Sequence, residues 1–181
     1  MKKAILVLVL VFTTVNLFAQ KKTTTSAIVS FDASTALDNM PKAENKTVIA
    51  AIDTKTGSVL FEANVKNFSF ANPMMQEHFN GENWLHSDAH SSFKFKGNII
   101  NSATVNFSKD GSYDAEVEGM LGIKGKEQKI KVPGTIVVKG GNLFINANFS
   151  IALADFGISG APIEAGKVAK QPKITVSAEL K

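Results

Sequence analysis

The 181-residue chain contains neither cysteine nor arginine. Without cysteine it has no disulfide framework, no thiolate nucleophile and no N-terminal cysteine to carry a lipid. Arginine is the side chain best suited to bidentate recognition of phosphate and guanine. Although the chain has 20 lysines against 16 acidic residues, its composition therefore does not point to nucleic acid as a partner.

Long apolar runs are also scarce. The one extended run lies at the N-terminus. Lys2 and Lys3 precede apolar residues from position 4 to position 18, with interruptions, and Ala19 provides a small residue for cleavage. The run is shorter than the ~20 residues of a typical membrane-spanning helix. The pattern predicts a secretory signal peptide over residues 1–19, with an uncleaved anchor as the minor alternative. We expect residues 20–181 to form a single domain, exported to a bacterial periplasm, without a stable membrane span.

Most of the remaining sequence alternates apolar and polar residues, as between Tyr113 and Ile123 and between Leu143 and Leu153. A period of two indicates half-buried antiparallel strands. Eight or nine such strands can be counted, including one expected over positions 103–107. Asn72-Pro73 and Asn80-Gly81 bracket a short helix. The pattern predicts an all-β, eight-stranded antiparallel barrel with one short helix after the third strand.

Candidate catalytic residues are few. His78, His86 and His90 fall within 13 residues, and the last two have the spacing of metal ligands on a helix. Their surroundings are short, polar and strand-leading, so exposed loop histidines are the simpler interpretation. No serine lies in a Gly-x-Ser-x-Gly setting, and no glycine-rich phosphate loop precedes a helix. We expect no enzyme, metal or cofactor; a metal- or haem-assisted enzyme using His78 is the weakest alternative.

The interior of the predicted barrel carries small residues at mid-strand, including Gly97, Gly119 and Ala147. Thirteen phenylalanines against one tyrosine and one tryptophan leave few polar groups to line it. Met74-Met75 lies where adaptable side chains could cap a mouth. These features favour a cavity for an apolar guest. A packed core remains the alternative, because eight strands can be filled by their own side chains.

Beyond these patterns, one segment resembles a known family. The stretches that carry the resemblance are Phe68-Ser69-Phe70, Met74 to Asn80, Asn83-Trp84-Leu85, Ser87-Asp88 and Phe93-Lys94-Phe95-Lys96-Gly97. Together they are similar to the YceI-like family, and the likeness extends to residues 119–125 and 154–158. One departure is Ala89-His90-Ser91, where the family usually has an aromatic residue followed by proline.

The resemblance implies a lipocalin-like barrel, exported to the periplasm, whose elongated pore holds a polyisoprenoid or similar long-chain lipid. By position, it places five side chains along or above the pore and two on its wall: Phe68, Phe70, Met74, Met75 and Phe79, then Phe93 and Phe95. The inward strand rows add Phe61, Val117, Leu121 and Phe149 to the expected lining. We therefore expect a periplasmic lipid-binding or carrier protein. The alternative is a packed barrel that serves as an interaction or stress-response module, and the oligomeric state, a homodimer included, stays open.

Overall fold

The computed structural model describes residues 20–181, so the predicted signal peptide lies outside the described residues. Their strands are β1 (Lys21–Asp32), β2 (Lys42–Asp53), β3 (Ser58–Asn64), β4 (Ser69–Phe70), β5 (Ser92–Ile99), β6 (Gly111–Ile123), β7 (Lys126–Lys139), β8 (Asn142–Ser150) and β9 (Lys173–Leu180). The helices are α1 (Pro73–Asn80) and α2 (Ala161–Glu164). Short 3-10 turns cover Val65–Asn67, Ser102–Thr104 and Leu153–Phe156.

Eight strands close into an antiparallel barrel in the order β1-β9-β8-β7-β6-β5-β3-β2, and β1 pairs with β2 to complete the ring. The two-residue strand β4 adds to the start of β2, where Phe70 lies opposite Ala43. Closure pairs the outer strands of the sheet with each other, which removes exposed edges. The predicted lipocalin-like, eight-stranded barrel is confirmed.

The two ends of the barrel differ. Tight turns join β2 to β3 and β7 to β8 at one end, which we call the hairpin end, and the longer connection of residues 100–110 joins β5 to β6 at the same end. The opposite end, which we call the helix end, carries α1, α2 and the 3-10 turn at residues 153–156. Gly57 and Gly140 adopt positive φ in the hairpin-end turns, a conformation that favours glycine. Gln20 lies at the hairpin end, where its carbonyl accepts a hydrogen bond from the Thr54 amide.

Helix α1 begins and ends where the sequence predicts. The Asn72 side chain accepts a hydrogen bond from the Met74 amide at 2.9 Å, Pro73 occupies the first turn, and Gly81 follows the last residue. The prediction of a single helix was incomplete, because α2 forms in the connection between β8 and β9. With four residues, α2 is too short to produce a helical period in the sequence.

The change of register after β3 is produced by a 3-10 turn. Val65 is buried, the turn runs to Asn67, and Phe68 then points inward again. The fully buried Asn45 on β2 stabilises the chain just before this turn. Its Nδ2 donates to the Asn64 carbonyl at 2.9 Å, and its Oδ1 accepts from the Thr47 amide at 2.8 Å. The turn changes the parity of the chain, so that Phe61 before it and Phe68 after it both face the interior.

The predicted strand over positions 103–107 was wrong. The Asn101 side chain takes over the pairing with β6: its Oδ1 accepts from the Glu116 amide at 2.8 Å, and its Nδ2 donates to the Asp114 carbonyl at 3.0 Å. The chain then leaves the sheet through the turn at residues 102–104. Val105 and Phe107 pack on the core instead of extending β5.

Candidate functional site: an apolar cavity inside the barrel

Side chains that point into the barrel are not equally buried. Toward the hairpin end, Ile52, Leu143 and Leu180 are at most 2% exposed. Nearer the middle, Val117 and Ala147 also point inward yet retain accessible surface. Inward side chains can remain accessible only if there is free space beside them. The barrel is therefore well packed at the hairpin end and hollow at its centre.

The hollow is a cavity of about 170 Å³. All eight barrel strands contribute to its wall, and so do Phe79 of α1, Trp84 and Leu85 in the segment after it, and three residues of the connection after β8, namely Ile151, Leu153 and Ile158. The volume slightly exceeds that of an apolar cavity of ~150 Å³, which is enough to bind benzene and stay free of water. As it stands, the cavity accommodates a short stretch of hydrocarbon.

The wall of the cavity is almost entirely apolar. Among the described residues that form it, only Lys94, Thr135 and the indole of Trp84 have polar side-chain groups. The Lys94 ammonium pairs with the Glu62 carboxylate at 3.2 Å, and its side chain is 56% exposed, so this charge lies on the outer surface. A site of this kind excludes ionic chemistry and favours hydrocarbon.

Carboxyl groups with lowered pKa values lie on the surface and not in the cavity. The Thr56 amide donates to Asp53 in the β2–β3 turn, as does the Lys55 amide, and these bonds hold the pKa of the Asp53 carboxyl below its ordinary value. The Lys66 ammonium lowers the pKa of Asp88 in the same way. These groups stabilise turns and surface pairs, and neither forms part of the cavity wall.

Eight of the eleven side chains predicted to line the pore lie on the cavity wall: Phe61, Phe68, Phe79, Phe93, Phe95, Val117, Leu121 and Phe149. Phe70, Met74 and Met75 do not. Phe70 packs against Phe79 at a ring-centroid distance of 4.9 Å without forming part of the wall. Met74 is 63% exposed, because α1 turns Phe79 toward the barrel and leaves the methionine outside.

Phe79 holds α1 against the helix end of the barrel. It is the buried side chain of that helix, and its ring lies 6.1 Å from Phe31, 5.9 Å from Phe68 and 4.9 Å from Phe70. Phe68 in turn lies 5.7 Å from Phe93. Aromatic pairs at these distances attract each other beyond simple burial. The cluster therefore forms one end of the cavity and fastens the helix over it.

Several wall residues were not predicted. Phe31 and Val176 lie on inward rows of β1 and β9, where alternation could have identified them. Trp84 follows α1 in an irregular segment. Ile158 lies just beyond the 3-10 turn after β8. Neither of these two positions carries a periodic pattern, so only the folded connections bring them to the cavity.

The histidine cluster does not form a metal-like site. The rings of His86 and His90 lie 6.1 Å apart, and within residues 20–181 no three His, Cys, Asp or Glu side chains are arranged to hold a metal ion. His78 is exposed on α1. In that same part of the chain, no helix has the length and apolar character needed to cross a membrane.

Comparison with known proteins identifies the family. The family model of the YceI-like domain matches residues 11–180. The chain belongs to the YceI-like family. The match covers nearly the whole chain, so the resemblance inferred from the segment around α1 is confirmed. No curated protein matches the chain.

Solved structures show the same YceI-like fold at low sequence identity. BcnA of Burkholderia cenocepacia has a TM-score of 0.69 at 18% identity, over 86% of this chain and 96% of that one. A polyisoprenoid binding domain of Saccharophagus degradans has a TM-score of 0.75 at 10% identity, over 90% and 98%. The YceI protein of Campylobacter jejuni has a TM-score of 0.54 at 16% identity, over 79% and 84%. At these identities the likeness concerns the fold.

Proposed function

We propose that this protein binds a long apolar chain, an isoprenoid or similar lipid, inside the barrel and carries or sequesters it in the periplasm. The observation that carries the proposal is the cavity of about 170 Å³ with its nearly pure hydrocarbon wall. Membership of the YceI-like family supports it, and one structural neighbour is described as a polyisoprenoid binding domain. The protein acts as a binding protein, not as an enzyme.

Binding transfers hydrocarbon from water to the cavity. Each buried CH₂ contributes about 0.8 kcal/mol, so ten such groups give ~8 kcal/mol. That free energy corresponds to roughly micromolar affinity before the ordering and association costs are subtracted. Useful affinity therefore requires a chain of about ten carbons or more. Because the wall has no inward charge, the headgroup contributes little and stays outside the cavity.

A chain of that length exceeds the volume available between the side chains as they stand. Phenylalanine rings at the helix end, such as Phe93 and Phe149, line the cavity and keep accessible surface. Rotation of such rings lengthens the cavity toward α1. The ligand thus replaces ring contacts with its own, and the aromatic cluster at Phe79 adjusts to its length.

Extraction of the bound molecule tests the proposal. Protein purified from its native host is extracted with organic solvent, and the extract is analysed by mass spectrometry. We expect a long-chain lipid in near-stoichiometric amount from the wild type and much less from Ala147→Phe, in which the new ring fills the cavity. Equal amounts of the same lipid from both proteins would show that it adheres outside the barrel.

The alternative of a packed barrel finds no support in the cavity. A saturable Nile red signal that is lost in the Ala147→Phe variant distinguishes a hollow barrel from a packed one, because a solid interior offers no internal site.

Export is tested separately, by determining the N-terminal residue of the protein in the periplasmic fraction. We expect it to be Gln20, after removal of residues 1–19. A precursor-length chain in the membrane fraction would favour the anchor instead.

A further inference from the structure

Two glycines face each other across neighbouring strands in the middle of the barrel. Gly97 on β5 pairs with Gly119 on β6, and both point inward. A Cβ atom on Gly97 would overlap the Glu118 carbonyl oxygen, and one on Gly119 would overlap the Lys96 carbonyl oxygen. These strands approach each other in a way that only glycine permits.

The ring of Phe95 lies over this glycine pair. Its Cζ atom is 2.9 Å from the position that a Cβ on Gly97 would take, and 2.7 Å from the corresponding position at Gly119. Carbon atoms in contact lie about 3.5–4.0 Å apart, so the ring occupies space that two side chains would otherwise fill. Phe95 therefore leans along the wall and does not project across the cavity.

The recess that Gly97 and Gly119 leave in the wall, which we call the glycine recess, holds the Phe95 ring in place. The close ring pairs within residues 20–181 that involve phenylalanine are formed by Phe31, Phe68, Phe70, Phe79 and Phe93, and Phe95 takes part in none of them. Phe95 also lines the cavity and is incompletely buried. If a side chain filled the recess, the ring would turn into the cavity at its middle.

We propose that Phe95, seated on Gly97 and Gly119, sets the width of the cavity and so determines the cross-section of the apolar chain that enters. This inference rests on the proposed lipid-binding function and assigns specificity within it. Phe95 acts by steric exclusion, while the two glycines act through the position of its ring. A methyl-branched prenyl chain is wider than a linear alkyl chain, so this position governs the choice between them.

The experiment measures the affinities of farnesol and 1-dodecanol through the fluorescence of Trp84, the lone tryptophan, which lies on the cavity wall. The variants change Phe95 and keep both glycines, because a Cβ at Gly119 would also overlap the Lys96 carbonyl oxygen and shift the strands themselves. The quantity compared is the ratio of farnesol affinity to dodecanol affinity.

Two leucine substitutions, one at the cavity wall and one away from it, make the test decisive. Phe95→Leu should raise the ratio of farnesol to dodecanol affinity severalfold, whereas Phe107→Leu should leave the ratio unchanged. Phe107 packs on the core and is not among the cavity-lining residues. An unchanged ratio in Phe95→Leu would refute the width assignment while lipid binding stands. A wild-type protein that binds neither alcohol would overturn the proposed function itself.

Discussion

Filling the cavity should stabilise the protein and weaken ligand binding at the same time. Ala147 on β8 lies between Gly134 on β7 and Val176 on β9, and all three are on the cavity wall. Ala147→Leu adds three carbon atoms to the hollow region. In most cores the same change would overpack, but here space is available.

The magnitude follows from the area removed from water. At about 0.8 kcal/mol for each buried carbon, the larger side chain contributes at most ~2.4 kcal/mol, and fixing its rotamer costs about 0.5–1 kcal/mol. We expect a net gain of about 1–2 kcal/mol in the free energy of unfolding. For a domain of this size, that raises Tm by about 2–4 °C for each kcal/mol. Farnesol affinity should fall about tenfold or more, because the leucine takes the place of ligand carbons.

Ala178→Leu is the matched control. Ala178 points inward on β9, opposite Ile145, but it is 6% exposed and is not part of the cavity wall. The same three carbons have no room there, so the substitution should destabilise by about 1–3 kcal/mol. Farnesol affinity measured on the folded variant should stay at the wild-type value.

Chemical denaturation without ligand and farnesol titration of both variants complete the assay. Opposite signs of the two stability changes are the expected result. If Ala147→Leu destabilised the protein as much as Ala178→Leu, the hollow would not exist in solution. If it stabilised the protein but left farnesol affinity unchanged, the cavity would exist but would not be where the ligand binds.

Three further predictions concern the helix end and the response to pH. Phe79→Ala should reduce stability by about 3–5 kcal/mol and speed probe release in stopped-flow experiments, since the ring anchors α1; unchanged release would mean that α1 does not cover the entrance. Farnesol affinity should be constant from about pH 5 to 9, because the ammonium of Lys94 lies outside the cavity, and a titration step in that range would contradict the apolar site. The folded-state pKa of Asp53 is lowered, so its contribution to stability is present above the unfolded-state pKa and is lost as pH falls through the folded-state value. Asp53→Asn should therefore flatten the acid limb of stability below about pH 4, and an unchanged acid limb would show that other carboxylates dominate it.

Much of the barrel was predictable because its physics is local. Inward and outward residues alternate along each strand, so β6 and β8 could be recognised from their own sequences. The cap at Asn72 and the stop at Gly81 likewise depend on neighbouring residues. For the same reason, most of the predicted wall lies on strands whose inward row could be read directly.

The errors arise where distant contacts decide. The expected strand after β5 is lost because the Asn101 side chain bonds to the backbone of β6, which follows it in sequence by more than ten residues. Met74, predicted along or above the pore, does not form part of the cavity wall, because the rotation of α1 is set by the contacts of Phe79 with Phe31 and Phe68. Alternation reports which face a residue belongs to, and it contains no information on such long-range pairs.

The alternation of apolar and polar residues also does not show whether the interior of the barrel is hollow or filled. The structure shows a cavity, and its volume can be converted into a cost in stability. At about 24 cal/mol for each Å³, an empty cavity of this volume costs about 4 kcal/mol, a large share of the 5–15 kcal/mol that typically stabilises a domain. Leucine or isoleucine at Ala147 would reduce the cost, and the tightly packed hairpin end shows that the chain packs such residues well. The unfilled space extends from the middle of the barrel, where the Phe95 ring lies against Gly97 and Gly119, to the Phe79 cluster at the helix end. Unfilled space that one substitution could remove supports the proposal that the cavity binds an apolar ligand.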